Sequence, residues 1–262
     1  MIVNTRRLFA SLLGRLQINA VCDVGSMNGQ DALAFSAAAP RSSVWAFEPN
    51  PVNFGLMAAD RAMRERNIRI VPLAAADYDG EAEFFLVDAD YSRGDPRRGM
   101  SSLYERTDEW APAAVVRVRT ARLDSFLADK CAADARLALW IDTEGKAYEV
   151  IEGLSGLAER VQLLHVEVET SPCIDAGQKL YPQVRALLAG LGFAQLATDQ
   201  APSHTQFNAL FVRAQQPPAM RLELSARVLA ARLRYLMVGV AMRLCPAYVR
   251  RYAALRHRAA RC

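Results

Sequence analysis

The stretch VCDVGSMNGQDAL, residues 21–33, runs an apolar segment into Asp23, places Gly25 and Gly29 four residues apart, and then begins a helix-like segment. Glycines so placed let a backbone turn sharply and approach a ligand closely. In an open parallel sheet the first strand–helix turn is where a nucleotide-like cofactor is cradled. The spacing departs from GxGxxG, which disfavours nicotinamide and flavin dinucleotides. Glu48, in the segment SSVWAFEP, is expected at the end of the second strand, where a carboxylate can accept both hydroxyls of a ribose. A second group lies further along: Asp142 and Glu144 in WIDTEG, then His165 and Glu167 in LLHVEVE. All four are expected near the carboxyl ends of adjacent strands, where a base could take a proton from a weakly acidic hydroxyl. Period-two alternation puts His165, Glu167 and Glu169 on one strand face, which reads either as a polar cleft or as a solvent-facing strand end. The two carboxylates of DTE could also hold a divalent cation, although nothing fixes a ligand set and none is assigned. His204 and His257 sit in loop and tail contexts and read as surface residues.

These residues need elements to hold them. NAVCDVG, SSVWAFEP, IRIVPLAAA, LALWIDTEG and VQLLHVEVE read as buried strands, alternating with helices at QDALAFSAAA, PVNFGLMAADRAMRER, KAYEVIEGL and LYPQVRALLAGLG. Helices between apolar strands imply a largely parallel sheet covered on both faces. GEAEFFLVD and AVVRVRTARL are expected as extra extended segments around the charged loop YSRGDPRRGMSS, and FAQLA with FNALFVR as a terminal antiparallel pair. Loop residues Arg93, Arg97 and Arg98 are candidates for contacting an anionic acceptor, with a solvated loop as the plainer expectation. QQPP at 215–218 breaks the pattern. The division expected is an N-terminal amphipathic helix over 1–17, a main domain over 18–215 and a basic helical extension over 216–262.

Five scattered cysteines without CxxC pairing point to reduced thiols and a cytosolic protein, against a disulfide framework or a zinc site. NTRRLFASLLGRLQ superficially resembles a twin-arginine export signal, but Arg15 and Gln17 interrupt its short apolar run. An amphipathic helix with Leu8, Phe9, Leu12, Leu13 and Leu16 on one side is expected instead. No run approaches the roughly eighteen apolar residues of a spanning helix. The net charge of +4 conceals an asymmetry: from Pro217 onward there are ten Arg against the single acid Glu223, or +9, leaving −5 on the remainder. In that extension Leu229, Leu233, Leu236, Val240 and Leu244 share a helical stripe, with Arg227 and Arg234 opposite. Two readings follow, an interfacial helix on anionic lipid, peripheral on the inner membrane face, or a stripe packed on its own domain or a twin subunit. Nucleic acid is not expected as a partner, because no recognised module accompanies the basic residues.

In order along the chain, DVGSMNGQ, FEPNPVNF, AAADYDG, SSL, LDSFL, WIDTEGKAYEVIEGL, LHVEVE and a late GF…FNALFVR together resemble the FkbM family of S-adenosylmethionine-dependent methyltransferases, over roughly residues 18–213. The resemblance implies a Rossmann-like class I methyltransferase fold, a mostly parallel seven-stranded sheet with helices on both faces. It implies S-adenosylmethionine as cofactor and a hydroxyl acceptor in a sugar of a polysaccharide, glycolipid or secondary metabolite. Carried over by position, Asp23, Gly25, Ser26, Asn28 and Gly29 would form the methionine end of the cofactor site. Glu48, with Pro49 and Asn50, would hold the ribose; Ala75, Ala76 and Asp77 would flank adenine; Ser102 would help close the pocket. Asp142 and Glu144 would face the transferable methyl, with His165 and Glu167 as further base candidates. Two departures stand out: Met27 where the family usually has Asn, and Lys146–Ala147 where a small residue and a Glu are usual. They leave open a changed acceptor, a protein or amine acceptor, or a binding module without turnover.

Overall fold

The computed structural model describes residues 1–91, 95–106, 112–201 and 203–244. Seven strands form the main sheet: β1 (Ala20–Val24), β2 (Ser43–Phe47), β3 (Arg69–Val71), β7 (Leu137–Ile141), β8 (Val161–Glu169), β9 (Phe193–Thr198) and β10 (Gln206–Arg213). Their spatial order is β3-β2-β1-β7-β8-β10-β9. The first five run parallel, and β10 is antiparallel to both β8 and β9. All five residues of both β1 and β7 are buried, as expected of central strands covered on both faces, and Asp23 is the one charged residue among them.

The chain order reverses between β1 and β7, where successive connections leave to opposite sides. Beyond the carboxyl ends of such a strand pair a crevice opens, and ligands of doubly wound sheets bind there. The crossover helices are α2 (Gln30–Ala38), α3 (Pro51–Ala59), α4 (Arg61–Glu65), α5 (Leu123–Leu127), α6 (Ala147–Glu152) and α7 (Tyr181–Gly190). A helix α1 (Thr5–Leu13) precedes them and buries Leu8, Phe9, Leu12 and Leu13 in the core on one face of the sheet. Leu16, just beyond it, is also fully buried. Asn4 caps α1 by accepting the Arg7 amide at 2.8 Å, and Ile2 pairs with Thr198 at the edge of β9. The segment is thereby part of the main body. A final helix, α8 (Pro218–Leu244), follows β10.

Two segments differ from the sequence reading. PVNFGLMAADRAMRER is two helices, because Asp60 adopts an extended ψ of 126° and its carboxylate accepts the Ala62 amide at 2.7 Å, capping α4. Its short side chain competes with the helical ladder. IRIVPLAAA is two strands in two sheets. Pro72 has no N–H to donate, and after it β4 (Ala74–Ala75) joins β6 (Pro112–Ala121) and β5 (Gly80–Val87) in a second, three-stranded sheet. That sheet carries the strap 95–106, anchored by the Phe85–Ser102 bridge, across the mouth of the crevice.

Candidate cofactor cleft and active site

The turn after β1 is tied to the end of β2: the amides of Gly25 and Ser26 both donate to the Phe47 carbonyl, at 3.1 and 3.0 Å. Gly25 has φ +85°, and a β-carbon there would lie 1.7 Å from the Asp142 carbonyl oxygen. Only glycine lets the ends of β1 and β7 come this close. Gly29, φ +74°, starts α2 beneath the Met63 side chain. Asp23 is 1% exposed and faces inward. Its Oδ2 accepts Ser26 Oγ at 2.5 Å and the Ala32 amide at 3.1 Å, so it stitches the turn to α2 from below. Burial, then the neighbouring Asp31, pushes its pKa well up.

Glu48 follows β2 directly. Its Oε2 accepts the Met27 amide at 2.6 Å and its Oε1 the Asn50 amide at 2.9 Å. Burial raises its pKa to about 7 against the lowering effect of those amides. Each oxygen keeps acceptor capacity, and the carboxylate lines a cleft of about 520 Å³ counted out to its mouth. One side of that cleft is apolar: Phe47, Leu73, Ala74, Ala75, Phe84 and Leu103. The other is the polar rim of Asp142, Thr143, Glu144 and Lys146. Arg98, Gly99 and Ser101 of the strap cover it.

The DTEG turn bends through two left-handed residues, Glu144 at φ 46° and Gly145 at φ 89°. A non-glycine there is costly, about 1–2 kcal/mol. Two contacts hold the turn: Ser102 Oγ donates to the Glu144 carbonyl at 2.8 Å, and Arg106 pairs with Glu144 Oε2 at 3.1 Å. Carboxylate oxygens of Asp142, Glu144 and Glu167 all lie within 4.8 Å of one another. Burial raises all three pKa values, Glu144 to about 7. For Glu144 the next cause is the Asp142 charge, opposed by the charge and hydrogen bond of Arg106. Like charges this close cannot all be ionised at neutral pH, so the group holds at least one shared proton. Such a cluster can accept a proton, or it can hold a divalent ion.

The structure therefore brings together Gly25, Glu48, Pro49, Ala75, Asp142 and Glu144 around one cleft, with Glu167 at its end. Several other site candidates stand elsewhere. Asn28 is partly exposed and accepts the Gln30 amide at 3.1 Å; Asn50 is 1% exposed and caps α3 through Val52 N–H at 3.0 Å. Ala76 and Asp77 line an open groove with Tyr78 and Glu83 that adjoins the cleft through Ala75, Leu103 and Lys146, and Ser102 acts on the turn rather than on the cleft wall. His165 shares a face with Glu167 but sits under α1. Its ring stacks on Trp140 with centroids 3.4 Å apart, and Nε2 lies 3.0 Å from Thr5 Oγ1. Burial lowers its pKa far below the usual histidine range, so it is neutral. Arg93 lies outside the described residues, and Arg97 pairs with Asp95.

The sequence reading named Arg98 and Ser102 in this loop but not the strap they form, nor Gly99, Ser101 and Leu103 as cleft residues. Arg98 is 7% exposed and exchanges hydrogen bonds with Asn53: its Nε donates to Oδ1, and its carbonyl accepts from Nδ2, both at 3.0 Å. Met27 reaches across to Gly99, where a β-carbon would meet its sulfur at 2.9 Å. Both departures from the family pattern gain an account. Met27 takes the left-handed φ of 51° that suits Asn, yet its side chain serves as a contact for the strap. Ala147 is 4% exposed at the start of α6, where a Glu would have to be buried; Lys146 Nζ lies 3.5 Å from the Tyr104 ring centroid.

The Methyltransferase FkbM domain matches residues 23–194. The chain belongs to the FkbM methyltransferase family. No curated protein matches it. Among solved structures, it is similar to a precorrin-6y C5,15-methyltransferase from Geobacter metallireducens GS-15, at 15% identity over 79% of this chain and 86% of that one, TM-score 0.40. An rRNA methylase from Streptococcus thermophilus aligns at 13% identity over 82% and 99% of the two chains, TM-score 0.45. The N-terminal domain of EvdMO1 with SAH bound aligns at 12% identity over 80% of each, TM-score 0.43. In the FkbM frame, the matched segment begins at Asp23 and contains the whole cleft and all three clustered carboxylates. Among the described residues, no helix is long and apolar enough to cross a membrane.

Proposed function

We propose that the chain is an S-adenosylmethionine-dependent O-methyltransferase that methylates a hydroxyl, in a sugar of a polysaccharide, glycolipid or secondary metabolite. The observation that carries this reading is the composition of the cleft: a hydroxyl-accepting carboxylate, Glu48, against an apolar slot at one end, and a proton-accepting carboxylate cluster at the other. The donor set suits the cofactor. Glu48 retains acceptor capacity for ribose hydroxyls, Phe47, Leu73 and Phe84 offer apolar surface for a base, and the Gly25 turn leaves room beside the backbone. When bound, S-adenosylmethionine supplies a methyl group activated by its sulfonium.

The chain's own residues then have three tasks. Glu48, Gly25 and the strap fix orientation, and well-aligned reactants gain several kcal/mol of barrier reduction. The strap excludes water. Asp142, with Glu144 and Glu167 around it, accepts the proton leaving the acceptor hydroxyl, an effect of about 10²–10⁴-fold. Burial pushes both Asp142 and Glu167 upward, and the Asp142 and Glu144 charges push Glu167 further while its hydrogen bond with Asp142 lowers the latter, so Asp142 is the member proposed to take the proton. A divalent ion on the same three carboxylates is the second reading, favoured by their 4.8 Å clustering. It would supply a Lewis acid for the hydroxyl.

The test is methyl transfer to glycan and glycolipid acceptors with Asp142→Asn and with EDTA. Turnover reduced at least a hundredfold in the variant at unchanged cofactor affinity supports the base. Turnover abolished by EDTA and restored by Mg²⁺ transfers the role to a metal. Cofactor binding without transfer to any acceptor would leave a binding module and overturn the proposal.

A further inference from the structure

Helix α8 has two apolar faces. Met220, Leu224, Val228 and Ala231 pack on the core beside α1, with Leu224 and Val228 4% and 5% exposed. At about 100° per residue, Leu222, Leu229, Leu233 and Leu236 fall on the opposite side. There they are 74%, 54%, 53% and 51% exposed, and Met237 beside them is 71% exposed. Past Ala231 the inner face ends too: every residue from Arg232 to Met237 is exposed. The helix runs on to Leu244. An isolated surface leucine needs no explanation, but a stripe of four at helical spacing on a helix that leaves the body does.

Among the described residues nothing of this chain covers the stripe, so packing on the described body of its own domain does not account for it. Charge selects the occupant. Glu223 is the single acid after Pro217, and it is engaged by Arg15 at 3.3 Å and Arg227 at 3.1 Å. Arg232 and Arg234 flank and oppose the stripe, and neither pairs with an acid among the described residues. In sequence, five further arginines follow Leu244 without an acid. A second copy laid along the stripe would bring together two segments that each carry +9. An anionic lipid surface instead supplies apolar depth for the leucines and negative charge for the arginines.

We infer that α8 is an interfacial helix that docks the enzyme on anionic lipid through Leu222, Leu229, Leu233 and Leu236. The helix lies in the surface rather than across it, in keeping with its arginine content and with the absence of any crossing-competent helix among the described residues. The inference is independent of the methyl acceptor, since none of the four leucines lines the cofactor cleft.

Flotation of the full chain with phosphatidylcholine vesicles, and with phosphatidylcholine vesicles containing about a third phosphatidylglycerol, tests it. The chain should float with the anionic vesicles only, and less as salt is raised. The triple variant Leu229→Gln/Leu233→Gln/Leu236→Gln exchanges exposed side chains for good helix formers, so folding and Tm should hold. Its apparent lipid affinity should fall on the order of a hundredfold, about fivefold per leucine. Arg232→Ala/Arg234→Ala should lose about fivefold per arginine. A wild-type chain that stays at the bottom with both vesicles overturns the inference. So does a triple variant that floats as well as wild type, which would place binding in the basic tail. A wild-type dimer in analytical ultracentrifugation that the triple variant converts to monomer, with vesicles inert, would assign the stripe to a second copy.

Discussion

Glu48 is where the electrostatics of the cleft make their sharpest demand. The residue is 4% exposed, and its carboxyl is held at a pKa of about 7 against an ordinary 4.5, chiefly by burial. The difference of about 2.5 units corresponds to roughly 3 kcal/mol in favour of the protonated form. Because the folded value lies above the unfolded one, this contribution to stability is fully present below pH 4.5 and is lost as pH rises through about 7. On the proposed reading, ribose hydroxyls donating to Glu48 would favour the ionised form, so cofactor binding below pH 7 is expected to expel a proton. Affinity for S-adenosylmethionine or its demethylated form should therefore weaken about tenfold between pH 8 and pH 6. Calorimetry in buffers of different ionisation enthalpy should register the released proton. Glu48→Gln should abolish that slope and cost about 1.5–3 kcal/mol of binding at pH 8, roughly ten- to a hundredfold. Its Tm above pH 7 should change little. The variant leaves one of the Met27 and Asn50 amides facing an NH₂ group, but it also removes a buried charge. A pH-independent wild type, or a Gln variant with wild-type affinity and slope, refutes the assignment of Glu48 to the ribose.

Gly25→Ala forces a β-carbon from 1.7 Å to beyond 3.0 Å of the Asp142 carbonyl, prising apart the ends of β1 and β7; cofactor binding should vanish in titration calorimetry and Tm should fall. His165→Ala removes the Trp140 stack and the Thr5 contact, so chemical denaturation should show a loss of about 2–4 kcal/mol while cofactor affinity stays within twofold. Arg106→Ala should raise the Glu144 pKa further above about 7, because it removes a lowering charge, and the alkaline rise of the pH–rate profile should move to higher pH. Met27→Gly relieves a left-handed φ of 51° but deletes the contact over Gly99; Tm should shift little, and cofactor dissociation measured by stopped flow should speed up.

Much of the main sheet was legible because its strands are short apolar runs bounded by breakers, and the switch between β1 and β7 follows from the order of those runs. The cleft's two rims were legible in VCDVG and IDTEG for the same reason: each is a strand end followed by a turn residue with a special φ. What the sequence could not convey was depth. Period two places His165 and Glu167 on one face, yet two residues along a strand is about 7 Å. That step separates a histidine sealed beneath α1 from a carboxylate at the rim. The roles of Asp23 and Asn50 were hidden similarly, since a polar residue beside a turn can face the ligand or cap the backbone, and both cap. Of the strap, Arg98 stood out as a loop cation, but Gly99, Ser101 and Leu103 have no periodicity to betray them; the strap is carried to the cleft by the second sheet of β5 and β6. Asp60 and Pro72 each broke an element that apolar content alone would have continued.

The central claim is that the notch between β1, β2 and β7 holds an adenosyl sulfonium beside the Asp142 cluster. A crystal structure of the protein with S-adenosylhomocysteine tests it directly. Density with the ribose on Glu48, the base against Phe47 and Leu73, and the sulfur facing Asp142 is the expected result. Density for the ligand elsewhere, or an unchanged cleft at saturating ligand, contradicts the account.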